Sequence, residues 1–135
     1  MSLLEWSKEF ETGIAVIDAD HKKLVKMANT LNDAMKSGHG KDVMGKLLVD
    51  LANYTVSHFQ NEEKLMKQYA YTDTVAHTHQ HEDLKAQVID IVEKHKTGAV
   101  TITLKVMNFL RDWLINHILK SDKVFAEFLK AKGAT

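Results

Sequence analysis

The sequence predicts an all-α protein, an up-down-up-down four-helix bundle with an N-terminal arm, and three observations predict it. Zero Pro and only six Gly leave few interior helix breakers in 135 residues. Apolar residues recur at intervals of three and four through four separate stretches. The stretches are parted by short connections, Ser37-Gly38-His39-Gly40, the residues near Tyr69 to Asp73, and Thr97-Gly98, and connections that short make neighbours antiparallel.

The first helix is expected from about Asp18 or Ala19 to Lys36, with Asp18 as its N-cap and Leu24, Ala28, Leu31 and Met35 on one stripe. Extended backwards, that stripe lands on His21. The second runs from about Lys41 to Lys67 and buries Met44, Leu47, Leu48, Leu51 and Thr55; the same stripe continues to His58, Glu62 and Leu65. The third runs to about His95 with Leu84, Val88 and Ile91 inside, and His77 and His81 begin its stripe. The last runs from about Thr101 or Thr103 to Lys130, turning Val106, Leu110, Leu114, Ser121 and Phe125 inward, and His117 falls in that row. Residues 1–17 show no clean helical period, but Leu3, Leu4, Trp6, Phe10, Ile14 and Ile17 are apolar enough to pack as an arm across the bundle. The chain therefore reads as a single domain, 1–135, with the bundle at 18–130.

Composition narrows the function. Lys+Arg and Asp+Glu are 18 each, so no net field favours nucleic acid or an anionic membrane. Zero Cys excludes a disulfide framework, a thiolate zinc site, an iron–sulfur cluster and a thiol nucleophile, and fits a cytoplasmic location. The N-terminus lacks the pattern of a signal peptide, and no apolar run approaches the roughly 18 residues of a membrane span. Any metal must use nitrogen and oxygen ligands.

Such ligands are present where they would be costly to bury alone. Residues four apart on a helix lie about 40° apart around its axis and one turn apart along it, so His77/His81 and His58/Glu62 can each aim at one centre. One pair of that kind is weak evidence. All of them fall on the apolar stripe of their helix, and that repeated placement calls for a shared partner. His117 and Asp122, five apart and about 140° around the helix, are not predicted by spacing to face one ion. Asp122 becomes a candidate only if the centre is larger than one ion. Five imidazoles and two carboxylates exceed one tetrahedral zinc but suit two octahedral ions sharing bridges, with iron the natural occupant and zinc still open, since imidazole serves both metals.

Trp6, Gly13, Asp18 and His21, then His58-Phe59-Gln60-Asn61-Glu62-Glu63 with Met66, then His77-Thr78-His79-Gln80-His81, then Trp113-Leu114-Ile115-Asn116-His117-Ile118 with Asp122, closely resemble the hemerythrins, particularly the bacterial ones. The resemblance spans nearly the whole chain. It implies two non-haem irons with an oxo or hydroxo bridge, one bound by His77, His81 and His117 and the other by His21 and His58, with Glu62 and Asp122 bridging. It also implies an open position for O2 on the iron held by His21 and His58, walled by Phe59, Trp113, Leu114 and Ile118. Such an apolar wall lacks a positioned proton donor and favours reversible binding over O–O cleavage. None of the eight glutamates is followed by His three residues later, which argues against the ferritin-like di-iron oxidases.

The expected function is thus O2 transport, storage or sensing without catalysis, by a monomer that needs at most a redox or oxygen-consuming partner. The alternatives are a di-iron oxidase or peroxidase, a nitric-oxide-handling enzyme, and a sensory module excised from a larger protein. His39, His79 and His95 read as surface histidines, and Glu63 and Glu82 as acids that adjoin ligands but point elsewhere. Tyr54, one turn before His58, reads as either core or a donor behind the ligand.

Overall fold

A computed structural model describes residues 4–38, 41–98 and 104–133. His39, Gly40 and the expected helix start at Thr101 or Thr103 lie outside them. The helices are α1 (Ala15–Lys36), α2 (Lys41–Tyr69), α3 (Thr74–Lys96), α4 (Leu104–Asn116) and α5 (Lys123–Ala131), and no strand occurs among the described residues. A π-helical segment, His117–Asp122, joins α4 to α5, so these three make the fourth rod of the bundle. α1 packs on α2 and α4, and α2 on α3.

The first helix begins three residues before the expected Asp18, and Asp18 is not its cap; Ile14 holds that position. Asp18 instead reaches back to the arm, where its Oδ1 accepts from the Thr12 backbone N–H (2.8 Å) and hydroxyl (2.7 Å) and its Oδ2 from the Gly13 N–H (3.2 Å). Gly13 sits at φ +86°, a backbone conformation that favours glycine, while a Cβ there would meet only the flexible end of the Lys130 side chain at 3.2 Å. Farther out, Leu4 and the Asn29 amide exchange two hydrogen bonds of 2.9 and 2.7 Å, fastening the arm along α1.

The end of α2 shows no glycine signal. Ala70 takes the left-handed conformation (φ 54°), with Tyr71 N–H bonded to Met66 C=O (3.0 Å) and Ala70 N–H to Lys67 C=O (3.4 Å), a Schellman stop built without Gly. It turns Tyr71 inward, against His77 and Phe125. Since alanine is strained in this region, Ala70→Gly should raise the unfolding free energy by about 1 kcal/mol, as measured by urea denaturation.

The core is divided. One apolar cluster gathers Leu24, Leu31, Leu48, Met107, Leu110, Leu114 and Ile118 among others; a second, smaller one holds Ile14, Ile17, Met66, Tyr71, Phe125, Ala126 and Leu129. Val88 is buried as expected and Val92 joins it, whereas Leu84 and Ile91 are only partly covered. Ser121 is not inward; it is half-exposed and donates to Gln80 Oε1 (2.5 Å) at the surface. His95, expected at the surface, is buried against α2 beside Gly45. The missing Cβ of Gly45 leaves room for the imidazole ring.

Candidate metal centre

All four rods contribute to a polar cluster in the bundle interior: His21 from α1, His58 and Glu62 from α2, His77 and His81 from α3, His117 and Asp122 from the π-helical segment. All seven are buried, Glu62 and Asp122 completely. The helical periods explain the first five. The π segment explains Asp122, because where backbone bonds run from i to i+5 a residue five positions on lies one turn away. His117 Nε2 accordingly comes within 2.9 Å of Asp122 Oδ1, a pairing that an unbroken α-helix would oppose.

Donor atoms form two groups that share one residue: Glu62, His77, His81, His117 and Asp122 in one, His21, His58 and Asp122 in the other. Asp122 joins them through separate oxygens. Its Oδ2 lies 2.6 Å from His21 Nε2 and 3.3 Å from His58 Nε2, its Oδ1 3.1 Å from His77 Nε2. Glu62 Oε1 lies 3.1 Å from His81 Nε2, 3.4 Å from His117 Nε2 and 3.3 Å from His58 Nε2.

Two details test whether metal fits. Glu62 Oε2 is buried without a hydrogen-bond partner. His81 Nε2 is also buried without a hydrogen-bond partner, although Glu62 Oε1 lies 3.1 Å away. Buried groups left in that state are costly without a further ligand, and a set of imidazole nitrogens and carboxylate oxygens suits divalent or trivalent iron.

Without metal the cluster holds itself together by charge. Burial pulls His58 down, but the Glu62 charge and hydrogen bonds to Asp122 and Asp20 outweigh it and raise the pKa to about 10. His117 is likewise pulled down by burial and carried up to about 9, chiefly by Asp122. Glu62 and Asp122 go the other way: burial pushes them up, and the surrounding imidazoles hold both below the ordinary carboxylate range.

The expected wall residues are all buried. Phe59 stacks on His81 with centroids 4.0 Å apart and lies edge-on to His117 at 5.4 Å, and Trp113 is edge-on to His117 at 5.9 Å. Of the four wall residues these two rings thus border the three-histidine group, which Phe125 also borders with its ring 5.7 Å from His77. Leu114 joins Leu51, Thr55, Val88, Leu110 and Trp113 around a small internal void of about 10 Å³. Trp113 and His117 also form part of an open groove of about 500 Å³ between the third and fourth rods.

Three residues behind the histidines change the sequence reading. Glu63 does not point elsewhere; its Oε2 accepts from His81 Nδ1 at 3.3 Å. Asp20, four residues before Leu24 but not counted on its stripe, accepts from His58 Nδ1 at 3.0 Å. Tyr54 is a donor, its hydroxyl 2.8 Å from Asp20 Oδ1. The available signal was a carboxylate adjoining a candidate ligand in sequence, Asp20 beside His21 and Glu63 beside Glu62, but Glu82 beside His81 shares it and is exposed. His79 stays at the surface near Asp83, and Glu82 is exposed.

Residues 12–129 match the hemerythrin family, described as the hemerythrin HHE cation binding domain. The chain belongs to the hemerythrin family. It is 36% identical to a bacteriohemerythrin of Methylococcus capsulatus over 132 residues, covering 97% of this chain and 100% of that protein. A bacteriohemerythrin of Stenotrophomonas maltophilia is 33% identical, over 97% of this chain and 84% of that one. The crystal structure of a wild-type hemerythrin matches with a TM-score of 0.90 at 35% identity, covering 95% of this chain and 98% of that one. A hemerythrin is a non-haem di-iron protein of the helical-bundle type that binds O2, and this bundle with its His, Glu and Asp cluster is one. No helix among the described residues is long and apolar enough to cross a membrane.

Proposed function

We infer that His21, His58, Glu62, His77, His81, His117 and Asp122 hold the two irons, and that the protein binds O2 reversibly as a carrier, store or sensor and not as an enzyme. The observation that supports the ligand set most directly is the pair of donor groups meeting at the two oxygens of Asp122. Two ferrous ions, when bound, supply the electrons that no side chain here could give to O2. The chain's own part would be to place five imidazoles and two carboxylates around the irons and to keep water out.

Support for reversibility comes from what surrounds the donors. Phe59, Trp113, Leu114 and Ile118 are apolar and buried, and the polar atom among them, Trp113 Nε1, is an indole N–H, a donor too weakly acidic to deliver a proton. A bound oxygen ligand is therefore not driven towards cleavage by protonation.

Repeated cycles of O2 and argon over the reduced, iron-loaded protein test this reading. A visible absorption band should appear with O2 and vanish under argon; irreversible bleaching would overturn reversible binding and support an oxidase instead. Leu114→Ala enlarges the void it lines, and Ile118→Glu places a carboxyl in the wall. Both should shorten the lifetime of the oxygenated form, and unchanged lifetimes in both variants would mean that the wall lies elsewhere.

A further inference from the structure

Asp20 is an acid with more partners than a helix-surface residue has use for. It is 8% exposed and comes from α1, while its three partners come from α2. Oδ1 accepts from the Tyr54 hydroxyl at 2.8 Å; Oδ2 accepts from His58 Nδ1 at 3.0 Å and from the Asn61 amide at 3.2 Å. Two donors besides His58 thus hold the carboxylate in place, one on each oxygen. Glu63 behind His81 is built differently: its one bond to a histidine is 3.3 Å long and its side chain is 32% exposed.

The chemistry of the bond is directional. A carboxylate accepts and does not donate, so Asp20 requires the hydrogen of His58 on Nδ1 and leaves Nε2 to aim at the metal. Nε2 is the atom 3.3 Å from both Glu62 Oε1 and Asp122 Oδ2. A negative charge behind a ligating imidazole also makes it a stronger electron donor.

We propose that Asp20, clamped by Tyr54 and Asn61, is a positioning residue for His58, fixing its ring plane with Nε2 towards the metal site before metal arrives and strengthening the binding of the ion that His21 and His58 share. The proposal rests on the di-iron reading of the site. It assigns the two ends of the cluster unequal support, with the firm carboxylate behind His58 and the loose one behind His81.

Competition between the full chain and a chromogenic chelator for Fe(II), under argon, decides it. Asp20→Ala should weaken Fe(II) binding by about 10- to 100-fold, the usual effect of losing a partner behind a metal-bound histidine. Tyr54→Phe should give a smaller loss in the same direction, and Glu63→Ala a smaller loss than Asp20→Ala. Asp18→Ala is the control for structure alone, because it removes three hydrogen bonds from the same helix two residues away without touching a ligand. It should lower the melting temperature and leave Fe(II) affinity within about twofold of wild type, because its bonds run to the arm and share no partner with the cluster.

Equal affinity of Asp20→Ala and Asp18→Ala overturns the positioning role. Should Asp20→Ala fail to fold, the Tyr54→Phe/Asn61→Ala double variant keeps the carboxylate but unclamps it, and wild-type affinity there overturns the proposal equally. Because O2 is excluded, wild-type protein that takes up two Fe(II) but does not cycle O2 defeats the functional reading alone. Wild-type protein that takes up no Fe(II) defeats both.

Discussion

Asp122→Ala should fold less stably and retain fewer than about one iron per chain after anaerobic loading and desalting, whereas His79→Ala should keep both. The asymmetry follows from position. Asp122 is the residue shared by the two donor groups, one oxygen facing His21 and His58 and the other His77 and His117. In the proposed ligand set its removal would take a ligand from each ion at once, and it would lift the negative charge from imidazoles packed at the bundle centre. Breaking a buried ion pair from one side costs about 3–5 kcal/mol, so the metal-free variant should also melt well below the wild type. Asp122→Asn separates the two effects: it preserves shape, relieves little of the charge problem, and should bind iron almost as poorly. Two irons measured in Asp122→Ala would show that the bridge lies elsewhere.

Iron affinity should rise steeply with pH while the stability of the metal-free protein falls. His58 and His117 have folded-state values of about 10 and about 9 against 6.5 when unfolded, and His77 is also raised. A raised pKa contributes stability that is fully present below the unfolded value and is lost as pH climbs through the folded one. Glu62 and Asp122 are depressed from 4.5 and 3.8, so their contribution is present above those values and is lost on acidification. The metal-free bundle should therefore be most stable between about pH 4.5 and 6.5 and weaken towards pH 10. Iron needs the same imidazoles neutral. With His58 and His117 as the proposed ligands, loading two ions should displace a proton from each, which would raise the affinity for each ion by about tenfold per pH unit up to about pH 9. Thermal melts of the metal-free and iron-loaded forms at pH 5.5, 7 and 8.5 should diverge, the first falling and the second holding or rising. Parallel curves would contradict the charge pattern of the cluster.

Most of the bundle was legible because an α-helix writes its inner face into local spacing. Leu24, Ala28 and Leu31 mark one stripe, Leu48, Leu51 and Thr55 another, and His21, His58, Glu62, His77 and His81 continue such stripes, so their convergence follows once the rods are antiparallel. What escaped was decided between helices. Asp20 touches His58 across the α1–α2 contact, a matter of the relative height of two rods that no single-helix pattern encodes. His95 is buried because Gly45 on a neighbouring helix leaves space for it. Ala70 ends α2 in a conformation that alanine rarely takes, so the usual Gly signal was absent.

By itself the sequence determined four amphipathic rods, an apolar arm, a cysteine-free donor set of imidazoles and carboxylates, and the resemblance that named a family. Tertiary structure decided that Asp122 turns to face His117, that its two oxygens link two donor groups, and that Asp20 and Tyr54 stand behind His58. The reason is one of range. Periodicity within a helix depends on residues a turn apart, whereas the extra residue of a π turn and the register of one rod against the next are settled only when packing and a shared polar centre outweigh the local preference for a regular α-helix.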